Sequence, residues 1–76
     1  LKTAQTVCYE VMRELLKEAR QFNARELRVL AAPKVIEMLL EEESQNLANL
    51  SDFIGKPISL QAEANYSQET FDIILM

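Results

Sequence analysis

The 76-residue chain has no histidine and no tryptophan, one cysteine, one glycine and two prolines. Without histidine there is no imidazole to serve as a base near neutral pH, and no Cys/His pair for nucleophilic attack or for zinc. The lone thiol, Cys8, excludes an intramolecular disulfide, so packing alone must hold the fold. With Gly55 as the only glycine, no glycine-rich loop is available to wrap backbone amides around a phosphate. No apolar run approaches the roughly 18 residues of a membrane helix, and no stretch resembles a signal peptide, so no membrane partner is expected. Basic residues are also short. Twelve carboxylates against eight cations leave a net charge of −4 and a pI near 4.7, which opposes general attraction to nucleic-acid backbones.

What remains is a globular composition. Apolar residues make up 49% and charged residues 26%, enough to build a core and too apolar for a disordered segment. The length allows one domain over residues 1–76, burying only about 60% of its unfolded surface. The opening at Leu1, already in helical pattern and without an initiator Met, points to a piece of a longer chain.

From Thr3 to Phe22 the apolar positions Val7, Cys8, Val11, Met12, Leu15, Leu16, Ala19 and Phe22 recur in steps of three and four. That stripe predicts an amphipathic helix, with Cys8 as a small core residue. Its other face predicts ion pairs Glu10–Arg13 and Glu14–Lys17, and a left-handed stop at Asn23. Residues 27–31 read as a short apolar strand. Pro33 opens a second helix, because its missing N–H costs nothing at the first helical position. Three consecutive carboxylates, Glu41 to Glu43, oppose the dipole of a continuing helix, and Ser44 is a good cap for a new one. Two helices, about 33–43 and 45–54 with a break at Ser44, are expected, a single continuous helix being the alternative. The carboxylate run reads as solvated rather than as a magnesium site, because consecutive side chains diverge.

Gly55 is placed to close the helix in the left-handed conformation, and Pro57 stops it resuming. Ile58, Leu60, Ala62 and Ala64 alternate with Ser59, Gln61, Glu63 and Asn65, a strand of one buried and one wet face over 58–65. After a polar turn at 66–70, residues 71–76 are apolar at five of six positions, which suggests a central strand. The expected fold is α+β, helix–strand–helix–helix–strand–strand, with a mostly antiparallel three-stranded sheet. A hairpin of the last two strands and a right-handed crossover give the order first–third–second, with the helices on one face. That order and the helix pair resemble the nucleic-acid-binding KH fold with its last helix moved to the front. The phosphate-clamping Gly-x-x-Gly of that family is here Glu43-Ser44-Gln45-Asn46, so its RNA binding is not carried over.

Three strings carry a further resemblance. Glu63-Ala-Asn-Tyr-Ser-Gln-Glu-Thr-Phe-Asp-Ile-Ile-Leu-Met76, the opening fifteen residues to Leu15, and the stretch from Ala32 to Leu50 resemble bacterial endoribonucleases of the ribonuclease E/G family, its G type above all. The last string resembles that family's C-terminal end, so the likeness implies a small C-terminal domain separated from its catalytic part. The parent enzyme implied cleaves single-stranded RNA, prefers a 5′-monophosphate end, and processes ribosomal and messenger RNA in the cytoplasm. Magnesium held by catalytic carboxylates and zinc shared through paired cysteines belong to segments that precede this one. Neither has a match here, so no catalytic, cofactor-binding or metal residue is assigned to this chain. The small domain of the family looks like a module that sets the homo-oligomer and contacts the catalytic part.

Two candidate surfaces follow. If Phe71, Ile73 and Leu75 pack under the helices, Ile74 and Met76 emerge on the outer face of the sheet, beside Leu30 or its alternates, as an apolar patch for assembly. The surface of the first helix competes for that role. Arg13, Lys17, Arg20, Arg25 and Arg28 form an alternative, RNA-contacting surface.

Overall fold

The computed structural model describes residues 1–76. Helix α1, Ala4–Gln21, is capped by Thr3, whose hydroxyl accepts the Thr6 N–H at 3.1 Å. Its stripe buries Ala4, Val7, Cys8, Val11 and Leu15. The helix closes on Phe22 in extended conformation, and no residue other than Gly55 has positive φ, so the left-handed stop at Asn23 is not used. Strand β1, Leu27–Ala31, follows, then α2, Pro33–Leu40, begun by Pro33 as expected. Helix α3, Ser44–Ile54, ends on Gly55 at φ 71°, and strands β2, Ile58–Ala62, and β3, Phe71–Leu75, complete the chain.

Two helices, not one, fill residues 33–54, but the break lies at 41–43 rather than at Ser44. Ser44 is the first residue of α3 and makes no cap. Glu43 takes the cap position without a side-chain cap bond. Glu43 also overturns the expectation of a wholly solvated carboxylate run. It is buried at 4% exposure, with its carboxylate accepting from Asn46 Nδ2 at 2.9 Å, while Glu41 and Glu42 are exposed. The turn explains this. The Glu43 N–H donates to Met38 O and its C=O accepts from Leu47, which holds its backbone between the helices and its side chain against Asn46.

The sheet order is β2–β1–β3, with β1 parallel to β2 and antiparallel to β3, so the expected order and the hairpin are both corrected. A hairpin needs a tight connection. Residues 63–70 instead form two successive turns, Tyr66 N–H to Glu63 O and Thr70 N–H to Ser67 O, long enough to carry the chain past β1 to its other edge. The α2–α3 crossover places β2 parallel beside β1. β1 is central, and its inner side chains Leu27, Val29 and Ala31 are all fully buried there. The strand-order likeness to the KH fold falls with the expected order.

One core of twelve buried residues joins α1, β1 and α2, including Val11, Leu15 and Leu39. Leu60, Ile73 and Leu75 pack against it from the flanking strands, while α3 buries none of its residues completely.

Candidate assembly surface

The pleat decides which side chains leave the core. In β3, Phe71, Ile73 and Leu75 turn inward, so Asp72, Ile74 and Met76 turn out. Register places Arg28 beside Ile74 and Leu30 beside Asp72, with Ser59 and Gln61 of β2 on their other side. The outer face therefore presents Leu30, half-buried, with Ile74 at 43% and Met76 at 45% exposure within a polar surround. The three expected patch residues do share one face, alongside the Arg28 and Leu30 set of β1. Arg28 Nε donates to Ser59 Oγ at 3.0 Å, Ser59 donates to Glu26 at 2.7 Å, and the guanidinium lies 3.6 Å from Glu26. Tyr66 Oη donates to Asp72 at 2.7 Å, and that bond holds the phenol above its ordinary pKa.

The five basic candidates divide. Arg13, Lys17 and Arg20 line a shallow depression on α1 with Leu16 and Gln21. Arg28 belongs to the outer sheet face, and Arg25 lies in the α1–β1 connection, where its N–H donates to Met76 O. Neither expected ion pair forms on α1. Glu10 pairs with Lys2 at 2.8 Å, leaving Arg13, Glu14, Lys17 and Glu18 without ionic partners.

Sequence reading missed a second depression, where Glu14 and Glu18 of α1 lie beside Phe71, Asp72 and Ile73. The i,i+4 spacing of the two carboxylates was visible, but their neighbour was not, because it depends on β3 being an edge strand. An apolar groove between α2, α3 and β2, lined by Leu39, Leu40, Leu47 and Ile58, was likewise hidden in the helix stripes.

Chemically these surfaces are quiet. Cys8 Sγ donates to Val35 O at 3.7 Å, and its pKa is pushed up to about 11 by burial, with Glu43 and Glu42 adding to the effect. No cluster of three carboxylate, thiol or imidazole groups converges, and no helix is long and apolar enough to cross a membrane.

No protein-family model matches the chain. Ribonuclease G of Escherichia coli strain K12 is 42% identical over 76 residues, which is 100% of this chain and 16% of that protein. The chain is related along its whole length to a segment of ribonuclease G. Ribonuclease G of Salmonella typhimurium is 42% identical over 76 residues, and that of Haemophilus influenzae is 42% identical over 77. The chain spans 16% of the length of each of these curated relatives. Likeness to ribonuclease G is thus likeness to a small part of it.

Proposed function

We propose that the chain is a structural and assembly domain of an endoribonuclease resembling ribonuclease G, C-terminal in its parent and acting through homo-oligomerisation. The observation that carries this reading is a whole-length relation to ribonuclease G in a fold that presents an apolar outer strip, Leu30, Ile74 and Met76. The parent cleaves single-stranded RNA in ribosomal RNA processing and messenger RNA decay in the cytoplasm. Magnesium, and zinc held through paired cysteines, belong to other parts of it. Light scattering of the chain over a range of concentrations tests self-association, and mass rising with concentration is expected. Ile74→Lys should keep the circular dichroism spectrum and weaken that association. A mass that stays monomeric throughout rejects the assembly role.

A second reading, an accessory RNA contact, draws on one observation: Arg13, Lys17 and Arg20 share a depression and none is ion-paired. Binding of a labelled oligonucleotide that weakens steeply with salt, and disappears on reversing these charges, supports it.

A further inference from the structure

Two strands of the sheet, β2 and β3, have a free edge, and the ladder fixes which backbone groups β3 leaves open. Met76 donates to Glu26 O at 2.9 Å and accepts from the Glu26 N–H at 3.4 Å, which sets the alternation between β1 and β3. By register, Ile74 then bonds Arg28 and Asp72 bonds Leu30, while Phe71, Ile73 and Leu75 turn their N–H and C=O groups away from the sheet. No proline, lysine or bulge blunts that edge.

What stands beside the open groups is charged. Glu14 and Glu18, one turn apart on α1, share a depression with Phe71, Asp72 and Ile73. Consecutive strand residues point to opposite faces, so a hollow touching all three opens on the edge itself. Both glutamates are half-buried and neither has an ionic partner. The free edge of β2 has no such neighbours, because the groove beside Ile58 is lined by Leu39, Leu40 and Leu47.

We infer that the free edge of β3 binds an extended segment of another protein, with basic residues at alternate positions and apolar residues between them. A strand added there pairs its backbone with Phe71, Ile73 and Leu75. Its side chains on the helix side stand about 5 Å from Phe71 and Ile73, under the flank of α1. Lysine or arginine fits these positions, the stem covering the two apolar side chains and the head reaching a carboxylate. The spacings agree: Glu14 and Glu18 lie about 6 Å apart along the helix, and alternate residues of a strand about 6.7 Å apart. On the outer side the guest meets Ile74, 43% exposed, and Asp72, whose carboxylate already accepts from Tyr66, so apolar residues suit that side.

Other occupants do not match the charge. RNA would bring phosphates against Glu14, Glu18 and Asp72. The edge strands of a second copy, Ile58–Ala62 and Phe71–Leu75, contain no lysine or arginine to meet the carboxylates. The site goes beyond the assembly reading and does not rest on it, since its bonds come from the β3 backbone and the flank of α1.

A labelled peptide alternating valine with lysine tests the site. Saturable binding is expected, with a valine–glutamate counterpart inert. Glu14→Gln combined with Glu18→Gln, neither in the core, should keep the circular dichroism spectrum and weaken binding about tenfold. Methylating the peptide's backbone nitrogens on the side facing β3 should abolish binding, since it removes the donors and leaves the charge. In hydrogen exchange, the Phe71, Ile73 and Leu75 amides should exchange fast in the free chain and slow when the peptide is added. No binding at about 1 mM peptide, equal binding of the valine–glutamate peptide, or unchanged exchange at all three amides overturns the inference. Slowing of these amides by a single-stranded RNA oligonucleotide, or by raising the chain concentration alone, also overturns it and gives the edge to RNA or to a second copy.

Discussion

Leu15 shows what a single residue contributes to so thin a core. It is fully buried and joins α1 to the strands beneath. Leu15→Ala removes that contact and leaves a cavity, so urea unfolding should report a loss of about 2–5 kcal/mol, enough to unfold much of a domain this size. Cys8 belongs to the same core, and its chemistry follows from its place. Its folded pKa, about 11, lies above the ordinary 9.0 because burial disfavours the thiolate. Above the ordinary value the unfolded chain loses the proton first. Stability is therefore full below pH 9 and should fall as pH rises toward 11, by roughly tenfold in the folding constant per unit. The matching readout is alkylation: iodoacetamide at pH 8 should leave Cys8 unmodified in the native chain and label it rapidly in urea. Equal labelling in both conditions would show that the thiol is open to solvent.

At the scale of elements, Gly55 is the clearest case of a backbone requirement written in sequence. It closes α3 at φ 71°, and a Cβ built there meets nothing within 4 Å. Gly55→Ala therefore costs backbone strain alone, about 1 kcal/mol, and a shift well above that would mean the connection to β2 had rearranged. Local signals of this kind made the elements legible: the stripe of α1, Pro33 at the start of α2, the acidic break after it, and a strand from Ile58. β2 nevertheless ends at Ala62 rather than at 65 and, with Ser59 half-buried and Ala62 exposed, lacks the expected alternation of buried and wet faces. Pairing was not legible. Residues 71–76 are more apolar than β1, and apolarity alone argued for the centre of the sheet. Centrality instead went to β1, which has the crossover on one side and the 63–70 connection on the other, a matter of connection length that composition does not encode. Glu43 failed for a related reason. Three identical carboxylates look alike in sequence, and only the turn between two helices decides which one faces inward. The outer patch was half legible: the pleat assigned Ile74 and Met76, whereas the partner set of β1 stayed open until Arg28 was found beside Ile74.

For the molecule as a whole, the question is whether the chain does chemistry or only holds other parts in place. Hydrolysis of an RNA phosphodiester needs an activated water and stabilisation of the charge on phosphorus, by metal ions or convergent cations. This chain has no histidine and no cluster of three metal-ligating groups, and its buried carboxylate, Glu43, is engaged with Asn46. Its three neighbouring free cations, Arg13, Lys17 and Arg20, lie apart from the buried core on an open helix face. Such a face offers positive charge but positions nothing on the far side of a scissile bond. Purified chain incubated with a 5′-monophosphorylated oligonucleotide and magnesium should therefore leave it intact over hours. Any retention of the RNA should weaken with salt, with a log–log slope no steeper than about −2, as three single-strand phosphate contacts allow. Cleavage that co-purifies with the chain and vanishes with a folding-neutral substitution on its surface would overturn the structural role. A slope far beyond that limit would instead move the RNA contact from three helix cations to the entire basic set, including Arg25 and Arg28.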